Sequence, residues 1–209
     1  MIELYTWNTP NGQKPLILLE ELELPYRTRA IDIGAGEQNA DAFRAINPNG
    51  RIPALDDSRG EASIRVFESG AILMHLCALA GEAGERFLPT EPAARAEVLS
   101  WTFWQVGGPG PMMGQWSHFA LFRDEKIEPA IARYRDESIR LMQVLDRALD
   151  GRQFVAGEYS IADMMNWPWF YGGMQYMRKA GVDLPTLRRL RNWIDRVGDR
   201  PAVQRAMAV

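Results

Sequence analysis

One cysteine, Cys77, is present in 209 residues, so neither an internal disulfide nor a protein-borne dithiol mechanism is available to this chain. Histidine is equally scarce, with His75 and His118 the only two, and no convincing set of zinc ligands can be assembled. There is no excess of positive charge: 24 Lys and Arg against 27 Asp and Glu leave a net charge of −3, with no footprint for nucleic acid or an anionic membrane. No run is long and apolar enough to span a bilayer. Met1 leads straight into Ile2-Glu3-Leu4-Tyr5 without the charged start and apolar core of a signal peptide, which sets a cytoplasmic expectation. What remains is ordinary for a globular protein, with 46% hydrophobic and 24% charged residues and length enough for one large domain or two small ones.

The first 80 residues mix strand and helix signals. Ile2 to Trp7 alternates as a strand, and Thr9-Pro10-Asn11-Gly12 is strong turn chemistry. A helix is expected over Pro15 to Leu22, with proline near its first turn, where the missing N–H costs least. Tyr26 to Ile33 reads as a strand and Asp41 to Ile46 as a short helix stopping before Asn47-Pro48. Ile52 to Asp56 and Ile64 to Phe67 suggest a hairpin, followed by a helix over Ser69 to Leu79. The order is β-α-β-α-β-β-α. From about Pro92 strand signals vanish. Helices are expected over Ala93 to Val106, Pro129 to Leu149, Ser160 to Met174, Thr186 to Arg196 and Pro201 to Met207. Residues 1–81 and 92–209 are thus two expected domains, joined by a linker over 82–91.

Two short segments carry chemistry. Ile52-Pro53 reads either as a plain edge-strand proline or as a cis proline whose preceding residue turns its N–H and C=O outward to an extended peptide. Glu68-Ser69 reads either as a helix cap or as an anchor, with Ser69 and the helix N-terminus holding a carboxylate and Glu68 an ammonium. Ser160-Ile161-Ala162-Asp163 matches a capping box with Asp in place of Glu, a structural role. Cys77, inside an apolar stretch, reads as buried and inert.

Taken in order, these motifs resemble the glutathione transferase superfamily over essentially the whole chain. The resemblance implies an α/β thioredoxin-like N-terminal domain plus an all-α C-terminal domain, the glutathione transferase fold. Thr9-Pro10-Asn11-Gly12, Gln38, the segment Asn49 to Pro53, the segment Phe67 to Leu73, Phe103 to Gly108, Gly114-Gln115 and Ala130 to Tyr134 are similar to the bacterial Nu class and to the related fungal prion-type (Ure2-like) transferases.

That resemblance implies glutathione, reduced or as its disulfide, as co-substrate and no metal. The backbone of Ile52, before Pro53, would pair with the glutathione cysteine, and Glu68 and Ser69 would clamp the γ-glutamyl group. Gln38 and Arg51 would hold the glycine end, and Thr9 and Asn11 would face the sulfur as the catalytic pair. Gln105 would reach the γ-glutamyl group of a neighbouring subunit, with Arg133 in support, which presumes a homodimer. Other classes place Tyr, Ser or Cys at this turn, whereas Thr9 and Asn11 donate hydrogen bonds but are not strong bases. Such a site stabilises a thiolate and positions it, using the helix start to lower the thiol pKa. The reaction implied is disulfide reduction by thiol–disulfide exchange between two bound glutathiones and a small disulfide, with peroxide reduction or conjugation as side activities. The alternatives are a transferase acting on aromatic electrophiles by conjugation or ether cleavage, and a non-catalytic binding or regulatory module. A second-substrate pocket is expected between the domains, among Trp7, Pro10, Met112, Met113, Trp116, Phe119 and Trp169.

Overall fold

The computed structural model describes residues 1–209 as two compact units, Met1–Pro89 with Arg200–Val209, and Thr90–Asp199. The first unit holds a four-stranded sheet of β1 (Ile2–Thr6), β2 (Tyr26–Ala30), β3 (Ala54–Asp57) and β4 (Ile64–Phe67) in the order β2-β1-β3-β4. β1 pairs parallel with β2, while β3 is antiparallel to both β1 and β4. Ile2, Leu4, Ala54 and Leu55 are fully buried in the sheet. The edge strand β2 reads Tyr-Arg-Thr-Arg-Ala and is exposed beyond Tyr26, its arginines opposing edge-to-edge association.

Helix α1 (Pro10–Glu21) buries Leu16, Ile17, Leu18 and Leu19, and helix α3 (Ser69–Leu79) buries Ile72, Leu73, Leu76 and Cys77. Helix α2 is the short turn Asp41–Arg44. The sequence pattern places the start of α1 at Pro15, but the helix begins one and a half turns earlier. Thr9 is its N-cap and Pro10 occupies the first turn. Pro15 is tolerated inside because only one intrahelical bond, to the carbonyl of Asn11 near the helix start, is lost.

The stretch expected to be a linker is folded. Helix α4 (Glu82–Glu85) lies within it, and Phe87 and Leu88 are 2% and 5% exposed. Gly84 is required there, since a Cβ would sit 2.0 Å from the carbonyl oxygen of Cys77. The C-terminal residues Arg200–Val209 belong to the first unit and not to the helical one. Helix α10 (Pro201–Met207) buries Ala202, Val203 and Ala206 and packs on α1. Bidentate Arg200–Glu21 hydrogen bonds of 2.6 and 2.9 Å, and an Arg205–Glu20 pair at 2.6 Å, fix it there.

The second unit is all-helical: α5 (Pro92–Gly107), α6 (Pro109–Ser117), α7 (Glu128–Ala148), α8 (Ile161–Lys179) and α9 (Arg188–Gly198). Helix α6 was hidden by Gly107-Gly108-Pro109-Gly110-Pro111, which reads as an interruption but only breaks α5 from α6. A π-helical turn, His118–Phe122, ends that run. α8 is the central element, nearly buried from Ile161 to Phe170. Ser160 and Asp163 form the capping box at its start. The Asp163 carboxylate also accepts from Val155 N–H at 3.0 Å and from Trp193 Nε1–H at 2.7 Å. No helix is long and apolar enough to cross a membrane.

Candidate functional site

Sheet register gathers the candidate residues of the first unit at one edge. Tyr5 pairs with Ala54 and Ala54 with Phe67, so β1 ends, β3 begins and β4 ends side by side. The segments just outside those ends are Trp7 to Gly12, Ile52-Pro53 and Glu68-Ser69. β2, parallel to β1, ends at the same edge, because Thr6 pairs with Ala30.

The turn into α1 is built by capping. Thr9 is extended (φ −136°, ψ 160°), and its Oγ1 accepts from Gly12 N–H at 3.2 Å. A hydroxyl that accepts one bond keeps its own proton to donate. Gly12 is obligatory here: a Cβ would lie 2.2 Å from the Trp7 carbonyl oxygen and 2.4 Å from Thr6 Oγ1. Only a bare backbone lets the first turn of α1 lie this close to the end of β1.

The peptide bond between Ile52 and Pro53 is cis. Of the two sequence readings, the bond has the isomer of the second. Ile52 precedes the first ladder residue, Ala54, and its N–H and C=O enter no backbone hydrogen bond. Asn47 supports the segment, its Nδ2 donating to the Arg51 carbonyl and its Oδ1 accepting from Asn49 N–H at 2.9 Å.

Ser69 is not the N-cap that a pure capping role requires. The cap position is Glu68, whose side chain makes no cap hydrogen bond, and Ser69 is the first helical residue. Helices α1, α5 and α8 are all capped by side chains, from Thr9, Glu91 and Ser160. At α3 the first-turn N–H groups of Gly70 and Ala71 receive none, which leaves a partial positive charge there. Glu68 has φ 72° and ψ 119°, a conformation that non-glycine residues rarely adopt and that tends to mark functional positions. Its side chain is exposed while Ser69 is 8% exposed.

Gln38 sits on the 3₁₀ turn Glu37–Asn39, and its Oε1 is buried without a partner. Its carbonyl oxygen lies 3.1 Å from where a Cβ would project from Gly50 (φ +61°), so Gly50 brings Gln38 beside exposed Arg51.

Sequence reasoning missed Lys14. It is 2% exposed, and its Nζ donates to Asn11 Oδ1 at 2.9 Å and to Ser69 Oγ at 3.3 Å. It therefore joins the turn into α1 to the start of α3. The available signal was its spacing, three residues after Asn11 on one helix face, followed by the apolar run Pro15 to Leu19. Burial pushes its amine down to about 7, against the pull of the nearby Glu68 carboxylate.

The helical unit departs from expectation. Gln105 is 1% exposed and packs under α6, with its Nε2 2.7 Å from where a Cβ at Gly110 would be. A side chain held inside its own unit does not reach into a neighbouring subunit. Met113 and Trp116, at 1% and 2% exposure, are core residues and present no surface to a second substrate. Both lie on the inward face of α6, and Met113 meets Gly173 of α8. Met112, Phe119 and Trp169 are half-buried, with Phe119 stacked on Tyr134 at 5.8 Å and Trp169 lying over Gly114. Trp7 and Pro10 in the first unit are half-buried too. Arg133 is exposed on α7, one turn before Glu137.

A thioredoxin-like sheet unit with a cis proline at its edge, followed by a helical unit, defines a class, and comparison with known proteins agrees. Residues 1–77 match the family model for the N-terminal domain of glutathione S-transferase. The chain is 42% identical to the disulfide-bond oxidoreductase YfcG of Escherichia coli (strain K12), over 99% of this chain and 94% of YfcG. It is also 42% identical to the disulfide-bond oxidoreductase YghU of the same organism, over 100% of this chain and 74% of YghU. A glutathione transferase from Pseudomonas putida, solved with one glutathione disulfide per subunit, superposes with a TM-score of 0.91 at 35% identity, covering 100% of this chain and 91% of that one. The chain belongs to the glutathione transferase family.

Proposed function

We propose that the protein is a glutathione-dependent disulfide oxidoreductase in which the reactive sulfur is supplied wholly by glutathione. One observation carries this reading. The edge that gathers Thr9, Asn11, Ile52, Glu68 and Ser69 contains no cysteine, and the one thiol of the chain, Cys77, is 4% exposed on α3. The relatives named as disulfide-bond oxidoreductases and the neighbour holding glutathione disulfide support it.

In this reading the extended peptide lies along the Ile52 backbone. Its γ-glutamyl carboxylate meets Ser69 and the uncapped turn of α3, its ammonium meets Glu68, and its glycine carboxylate meets Gln38 and Arg51. The sulfur then faces Thr9 and Asn11. Hydrogen bonds from the Thr9 hydroxyl and the Asn11 amide stabilise a thiolate, which at a free-thiol pKa of about 8.5 is otherwise a minority species at neutral pH. This thiolate attacks a substrate disulfide, forming a mixed disulfide and expelling one substrate thiolate. A second glutathione thiolate attacks the glutathione sulfur of that mixed disulfide, releasing glutathione disulfide and the other substrate thiolate. Two protons from solvent complete the two product thiols. The protein contributes proximity and anion stabilisation and needs no strong base.

A homodimer belongs to the same proposal, with Phe103 and Val106, 57% and 41% exposed on α5, as apolar surface for it to cover. Light scattering on the purified protein decides between one chain and two.

The test of function is a paired assay. Reduction of 2-hydroxyethyl disulfide by glutathione should far outrun conjugation of chlorodinitrobenzene. The reverse ranking refutes the assignment in favour of a conjugating transferase, and inactivity in both, with glutathione bound, leaves a binding module.

A further inference from the structure

Lys14 is the one buried lysine in the chain, and nothing in the reaction above requires a cation at its position. An ammonium has three donors and no acceptor. Its hydrogen bonds therefore dictate how its partners are turned. Asn11 receives the lysine on its oxygen, so its NH₂ group points the other way. Ser69 receives the lysine on its hydroxyl oxygen, so its own proton is directed elsewhere. We propose that Lys14 is a positioning residue whose ammonium holds Asn11 and Ser69 by their oxygens, so that both present hydrogens to glutathione, Asn11 to the sulfur and Ser69 to the γ-glutamyl carboxylate. This inference rests on the glutathione reading of the site.

The arrangement couples binding to protonation. Burial lowers the Lys14 amine to about 7, so near neutrality a share of free protein carries the neutral amine. A neutral amine has a lone pair, to which the Ser69 hydroxyl can donate instead of turning to a ligand. A bound carboxylate on Ser69 favours the ammonium and raises its pKa. Of the charged groups on packed elements, Glu68 at the start of α3 acts on Lys14. His75 on α3 faces Asp57 at 3.4 Å, and Arg200 and Arg205 of the α10 segment are engaged by Glu21 and Glu20. By linkage, affinity is complete below the amine's pKa in free protein and falls as pH rises toward its pKa in the complex. The thiolate requirement has the opposite sign, since glutathione ionisation rises with pH.

S-methylglutathione separates the two, because it has no thiol proton. Calorimetric titration at pH 7.5, in two buffers of different ionisation enthalpy, should show wild-type protein taking up about half a proton or more per ligand. Lys14→Met, which keeps the aliphatic volume, should bind about tenfold more weakly with that uptake removed. A direct readout on unmutated protein accompanies it. With ¹³Cε-labelled lysine only Lys14, Lys126 and Lys179 contribute signals. One of the three should titrate near neutrality and shift upward by about one unit or more with S-methylglutathione. Binding without proton uptake, three lysine signals all titrating in the ordinary range, or a folded Lys14→Met with unchanged affinity and uptake would each overturn the inference and leave the glutathione reading standing. Failure of wild-type protein to bind S-methylglutathione at all overturns both.

Discussion

Substituting Gly12 by alanine tests whether the approach of α1 to β1 sets both stability and chemistry. The new Cβ would lie 2.2 Å from the Trp7 carbonyl oxygen and 2.4 Å from Thr6 Oγ1, against an ordinary contact of 3.4 Å or more. The Trp7 carbonyl is backbone at the end of a sheet strand, so the helix start must retreat by about 1 Å. Overpacking of this kind costs about 1–3 kcal/mol. The retreat also stretches the Thr9 Oγ1 to Gly12 N–H bond, now 3.2 Å, at a further cost of about 1 kcal/mol. A total near 3 kcal/mol lowers Tm by roughly 6–12 °C for a chain of this size. Because Asn11 moves with the turn, turnover with glutathione and 2-hydroxyethyl disulfide should fall by up to about 100-fold in the protein that remains folded. Gly107→Ala is the control, since nothing lies within 4 Å of its Cβ position, and its Tm should stay within about 2 °C. Scanning calorimetry and the disulfide assay read both quantities. A Gly12→Ala protein with wild-type Tm and wild-type turnover refutes the close approach as described.

Thr9→Ala removes a helix cap and, in the proposed mechanism, a sulfur donor, so it should cost about 1 kcal/mol of stability and lower turnover more than it weakens glutathione binding; Thr9→Ser should restore both. Cys77→Ala should leave turnover within about twofold of wild type and lose only about 1 kcal/mol from core packing, and a collapse of activity with the fold intact would implicate that thiol. Asp163→Ala strips a carboxylate from three buried donors, Val155 N–H, Ser160 N–H and Trp193 Nε1–H, and should destabilise by about 3–5 kcal/mol in denaturant melts. Hydrogen bonds from Arg59, at 2.8 and 3.0 Å, hold the Asp57 carboxyl at about 2. Its folded pKa is below its unfolded one, so this stability is complete above about pH 4 and is lost as pH falls toward 2. Asp57→Asn should flatten that acid limb of a Tm-against-pH curve by about 2 kcal/mol.

Local chemistry was legible along the chain. β4 and α3 begin and end where their patterns place them, and the box at Ser160 and Asp163 closes as its spacing requires, because strand alternation and helix capping involve residues within a few positions of each other. Where signals conflicted locally, the reading failed. Pro15 masked the first turn and a half of α1, and a cluster of Gly and Pro masked α6. The candidate site was legible locally only as separate segments, through Thr9, Asn11, Ile52 and Glu68-Ser69; their meeting was expected from the family resemblance and not from any local pattern.

By itself the amino-acid sequence determined the element order up to α3, the capping of α8 and the absence of any chain-borne dithiol, since these depend on residue identity and near-neighbour geometry. Tertiary structure alone decided the rest. It placed three strand ends at one edge through a register set by the buried faces of Ile2, Leu4 and Leu55. It turned Gln105, Met113 and Trp116 into the helical core, and it buried Lys14 between Asn11 and Ser69. A sequence window carries no information on which distant backbone will exclude water from a side chain. That exclusion is what makes a glutamine structural, a tryptophan inaccessible and a lysine amine titrate near neutrality.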